Sequence, residues 1–273
     1  MRKKPLELSL YVAGAGAFGV FLRWLENQLA FEKETGLAKA SAFHVMAIAF
    51  VILCGVVFWR FLRKIEAANY EVPADFSRAL WSGVKLHIAL RLAAGLAMAL
   101  GGLLLLTKSE TDPYGGMLRV LALLAFLSGL AYPFVLAEAD REEPRRNLLC
   151  VLMLLPMLLY AVWLIFSYRN NVINSVPLSF GLDMLAAILG MIAYFRMAGY
   201  AFGAAKPWRA LLGAMLSATV CIMSLADGRY MGMEIILLAT AGQMLLYVWI
   251  LLQNLRERER KVVVKKDDGF EHL

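Results

Sequence analysis

Ionisable side chains embedded in apolar surroundings are where this sequence could do chemistry. They fall into two groups. Arg23, Glu26, His44, Asp183 and Glu234 form one. Lys85, His87, Arg91 and Arg196 form the other. A charge held in hydrocarbon is costly. Such residues turn inward, pair, and commonly mark a solute or ion pathway. Arg23 and Glu26 are three residues apart and share a helical face. Asp183, Ala187, Gly190 and Tyr194 repeat at helical spacing and make a small, polar stripe. Arg23, Glu26, Asp183, Arg196 and Glu234 are therefore the pathway candidates.

A plainer account competes with that one. Asp183 and Glu234 stand in the first turns of their helices, where the helix dipole favours an anion; Arg23 and Arg196 stand near C-terminal ends, where it favours a cation. Arg91 can snorkel along its stem to the nearer interface. Arg196 and Arg23 point back towards the bilayer centre and must find partners in protein or water. No acid lies three or four residues from Arg196, so its expected partner is Glu138 or Asp140 at the end of the fourth span. Gln243 reads as an interhelical hydrogen bond.

Other chemistries lack their residues. There is no G-x-S-x-G, H-E-x-x-H or Walker-type loop, which argues against an enzyme. Cys54, Cys150 and Cys221 lie apart in apolar runs, and His44, His87 and His272 are scattered, so neither a disulfide framework nor a metal site is expected. No cofactor is expected. Gly14–Gly19 fits G-x-G-x-x-G, but in mid-span it reads as a close helix–helix contact rather than a nucleotide loop. Gly95/Ala99, Ala97/Gly101 and Gly213/Ser217 read alike. Pro133 and Pro156 lie inside consecutive spans and read as ordinary membrane prolines rather than hinges.

The elements that must position these residues are membrane helices. The chain has 273 residues, 61 % hydrophobic and 18 % charged. Soluble domains run about 45–50 % and about 25 %. Eight continuous apolar runs, 6–25, 42–62, 84–106, 117–137, 148–168, 178–199, 208–226 and 233–252, are each long enough to cross ~30 Å of hydrocarbon. They predict an all-α polytopic transmembrane bundle, a single domain over 1–255, with a charged cytoplasmic tail over 256–273. The first run is too long for a signal peptide and reads as an uncleaved helix.

Charge sets the direction. With both termini cytoplasmic, nineteen Lys and Arg fall in inner segments and seven in outer ones, as the positive-inside rule asks of an even helix count. The net charge of +7 therefore reports membrane topology and not nucleic acid. Asp75 is placed to cap a short helix before the third span, with Phe76, Leu80 and Trp81 at the interface.

The segment Arg23–Ala38 resembles uncharacterised multi-spanning membrane proteins of Gram-positive anaerobic bacteria. The match rests on the arginine at the end of span one and on Phe31, Glu32, Thr35, Gly36 and Leu37. It implies a bacterial membrane protein of about eight helices and carries no activity. The expected function is a small-molecule or ion permease, or the membrane subunit of one, in a bacterial cytoplasmic membrane. The alternative is a non-transporting scaffold or sensor docking partners on its basic cytoplasmic face. Expected partners are the lipid bilayer, a small solute or ion, and a membrane-protein partner or second copy.

Overall fold

The structure is a computed structural model and describes residues 5–31, 42–141, 143–171 and 177–257, the side chains of 177–179 aside. Most of the loop that carries the family resemblance, and nearly all of the tail, lie outside these residues. Nine α-helices are described: α1 (Pro5–Leu29), α2 (Ala42–Ala67), α3 (Phe76–Leu80), α4 (Lys85–Lys108), α5 (Gly115–Ala139), α6 (Arg146–Asn171), α7 (Pro177–Ala201), α8 (Pro207–Met223) and α9 (Met231–Gln253). All but α3 are long and apolar enough to span a membrane, α8 by way of a 3₁₀ turn over Ser224–Asp227. This is the eight-span, all-helical architecture that the apolar runs predict.

The helices extend beyond several of the runs that mark them. The first continues past Leu25 through Glu26 to Leu29. Hydropathy reports only the stretch at lipid depth, whereas helical hydrogen bonding carries on wherever polar side chains find partners. Asp75 does cap α3, accepting from the Arg78 amide at 3.3 Å. Phe76 and Leu80 are buried and Trp81 is exposed. Two short strands, β1 (Tyr70–Glu71) and β2 (Arg256–Glu257), pair antiparallel and tie the end of α2 to the end of α9.

Burial separates the helices. The apolar window of α9 is 72 % buried and that of α2 only 22 %, so α9 is the central helix and α2 a peripheral one. Helix α9 packs against α4, α8 and α1, and α2 rests on α1 and α8. Close approach depends on small residues. A Cβ at Gly129 would lie 2.5 Å from the Ala99 amide nitrogen, and one at Gly102 would lie 2.6 Å from the Ala122 carbonyl oxygen. Backbones of α4 and α5 therefore nearly touch, which is how membrane helices gain dispersion energy without a hydrophobic drive.

The G-x-G-x-x-G stretch packs, as expected, though not through its first glycine. Gly14 meets nothing, while Gly16 and Gly19 seat Ile222 and Met223 at the end of α8. Helices α5 and α6 stay continuous across Pro133 and Pro156. Gln243 bridges helices as expected, accepting from the Tyr194 hydroxyl at 2.5 Å and donating to the Ala94 carbonyl at 3.4 Å.

The expected pairing of Arg196 with α5 is not found. Glu138 is taken by Arg141 at 2.7 Å, and Asp140 by Arg91 at 3.0 Å with the Ser82 amide at 2.9 Å. Arg196 instead lies half-buried, its guanidinium 5.8 Å from the ring centre of its own neighbour Phe195. The arginines already close to the end of α5 hold its acids, so none is left for a residue reaching over from α7.

Candidate functional site

One rim of the bundle gathers the ends of α1 and α6, the starts of α2, α7 and α9, and the turn after α8. There the buried charges form a continuous chain. The Glu26 carboxylate on α1 meets His44 Nδ1 on α2 at 2.6 Å, and its other oxygen meets Arg23 Nη1 at 2.8 Å. Arg23 Nε donates to Asp227 Oδ1 at 2.6 Å. The second oxygen of Asp227 receives Arg229 Nη2 at 2.7 Å, and Arg229 Nε reaches Asp183 Oδ1 on α7 at 2.8 Å. From α6, the Trp163 indole nitrogen donates to Asp183 at 3.2 Å, and the Ser167 hydroxyl donates to its other oxygen. The chain thus links α2, α1, the 3₁₀ turn, α7 and α6.

Local sequence explains the hub. Asp227 and Arg229 flank Gly228, whose φ of 63° lies in the left-handed region open to glycine. The reversal there carries the chain from the 3₁₀ turn to α9, with Asp227 and Arg229 on either side of it. Arg229 also donates to the Ser224 carbonyl at 2.6 Å, and its amide donates to Glu234 Oε1 at 3.0 Å. Asn27 reinforces the seam by donating to the Ala226 carbonyl at 2.9 Å. Outside the spans, Tyr230 donates to Asp112 at 2.7 Å, and this bond to a carboxylate pushes its phenol above the ordinary tyrosine range.

A cavity of about 350 Å³ opens at the α7 end of the chain. Asp183, Asp227 and Arg229 line it together with Ser167, Asn170, Phe166, Phe180, Tyr230 and Met233. Below it the interior is polar but packed. The Tyr160 hydroxyl donates to Thr240 at 2.7 Å, and the ring of Tyr160 stacks with those of Trp163 and Tyr194.

Of the five pathway candidates, Arg23, Glu26 and Asp183 belong to the chain. Glu234 stands beside it through the Arg229 amide, and Arg196 is not part of it. Sequence reading placed Asp227 and Arg229 in a short loop and overlooked them, with Trp163 and Ser167. Their signal was an acid and a base astride a glycine in the shortest loop, which spacing along single helices does not weigh.

The eight apolar helices define a multi-pass integral membrane protein in contact with the lipid bilayer. The chain matches no family model, no curated protein and no solved structure.

Proposed function

We propose that this chain is a small-molecule or ion permease, or the membrane subunit of one, and that the cavity at Asp183 is where its solute binds. The single observation that carries this reading is a cavity of about 350 Å³ walled by buried ion-paired side chains. Pockets of about 300 Å³ and more suit small ligands. Ionisable groups are kept within membrane spans where a polar pathway needs them. A bacterial cytoplasmic membrane, with both termini on the cytoplasmic side, belongs to the same proposal, supported by the distribution of Lys and Arg.

One observation favours the alternative, a scaffold or sensor. Each carboxylate of the chain already has an arginine, so the chain can also serve as a structural clamp between helices. Uptake decides between them. In proteoliposomes offered labelled metabolite pools, the permease reading expects solute uptake above empty vesicles, reduced by Phe180→Leu at the cavity wall. No uptake of any solute by the wild type favours the scaffold.

A further inference from the structure

At the opposite rim, the end of α2 and the start of α8 leave a groove of about 510 Å³ between them. Trp59, Leu62, Arg63 and Glu66 repeat at helical spacing and line it from one face of α2. Lys206, Trp208, Arg209 and Leu212 line it from the first turns of α8 and the residue before them. Higher up, the two helices touch: a Cβ at Gly55 would lie 3.8 Å from the Leu216 side chain. Trp59 and Leu212 stand one turn nearer the rim, about 6 Å along the axis, where the groove begins. Among the described residues no third helix contributes to its lining.

The lining divides by chemistry. Leu62 is buried and Leu212 half-buried, so the deeper part is apolar. Trp59 and Trp208 belong to the level where indoles favour the membrane–water interface. The exposed part is cationic: Arg63, Lys206 and Arg209, with Glu66 as the one carboxylate. Arg63 donates to Glu66 at 2.9 Å, and its guanidinium carbon lies 5.7 Å from the ring centre of Trp59. Lys206 and Arg209 enter no ion pair among the described residues. A cationic opening above an apolar wedge is complementary to an amphiphile with an anionic head. Arg and Lys hold phosphate oxygens, and basic pockets between membrane helices take anionic lipid headgroups.

We propose that the groove binds one anionic phospholipid, its phosphate held by Arg63, Lys206 and Arg209 and an acyl chain lying along Leu62 and Leu212 between the two indoles. In the proposed orientation this rim faces the cytoplasmic leaflet, which carries anionic lipid. The lipid fills the wedge and fastens α2, the helix whose apolar window is only 22 % buried, to the bundle. A permease and a scaffold would bind it alike. The rival occupant is the acidic part of the tail, Asp267 and Asp268, which lies outside the described residues.

Native mass spectrometry of the full chain in detergent reads the binding, with phosphatidylglycerol or phosphatidylcholine of the same acyl chains added at equal mole fraction. One phosphatidylglycerol should be retained about tenfold more tightly than phosphatidylcholine. Lys206→Gln with Arg209→Gln should bring it down to the phosphatidylcholine level; where that variant does not fold, Arg209→Gln alone should lose part of the preference. Arg60→Gln with Lys64→Gln removes the same charge from α2 outside the groove and should leave the preference intact. Phosphatidylglycerol should also raise the melting temperature of the wild type and not that of the Lys206/Arg209 variant. No preference in the wild type, or an equal loss in the two double variants, overturns the site. Displacement of the lipid by inorganic phosphate overturns the lipid as occupant. A preference that emerges only after Asp267→Asn with Asp268→Asn gives the groove to the tail and overturns it too.

Discussion

The guanidinium of Arg23, near the end of the first span, donates to Asp227, at the end of the seventh, at 2.6 Å across 204 residues of chain. With 3 % of its surface exposed, Arg23 has no access to bulk water. Its carboxylate partners, Glu26 and Asp227 among them, are therefore what keep its charge at that depth, and the contact with Asp227 fixes α1 against the turn after α8.

Breaking that contact should be costly. Arg23→Ala leaves Glu26 and Asp227 buried with one cation fewer, and should destabilise the protein by about 3–5 kcal/mol. A double-mutant cycle with Asp227→Ala in detergent unfolding should return a coupling of roughly 1–3 kcal/mol. Additive effects would show that the pair is incidental.

The α4–α5 seam makes a different demand. Gly129→Ala forces apart two backbones that have no room for a methyl group, and should cost about 1–3 kcal/mol. Gly14→Ala, which meets open space, should melt like wild type. A thermal melt of the two variants side by side checks this, and equal losses would contradict the packing.

Arg196 supplies a contrast with Arg23. Among the described residues it enters no ion pair, and its neighbour is the Phe195 ring. Arg196→Ala should therefore shift stability by less than about 1 kcal/mol. A loss on the Arg23 scale would reveal a buried acid depending on it.

The proposed orientation rests on the charge distribution and is open to labelling. In a background free of Cys54, Cys150 and Cys221, single cysteines at Lys108, Arg169 or Gly228 should react with an impermeant thiol reagent from outside. A cysteine at Lys206 should not. Reversed labelling would invert the orientation.

The fold was legible because lipid imposes it: a run of about twenty apolar residues has few fates other than a spanning helix. Arg23, Glu26 and Asp183 were legible for the same reason, since charge stands out in apolar context. Arg196 stood out equally and joins no ion pair among the described residues, because a helical face tells which way a side chain points and not what waits there. Asp227 and Arg229 escaped notice because loop charges are ordinary, and only the packing of α1 and α7 around them makes them buried. Trp163 and Ser167 look like any interfacial residues until Asp183 is seen between them.

The central claim is that the cavity at Asp183 holds a ligand, and a thermal-shift screen of the purified chain over metabolite pools tests it most directly. A compound present at a hundred times its dissociation constant stabilises a one-site protein by about 2.7 kcal/mol. The account predicts at least one compound that raises the melting temperature of the wild type and raises that of Phe180→Leu much less, with the two proteins melting alike in its absence. A wild type that no compound stabilises, or a stabilisation that Phe180→Leu leaves unchanged, would contradict it.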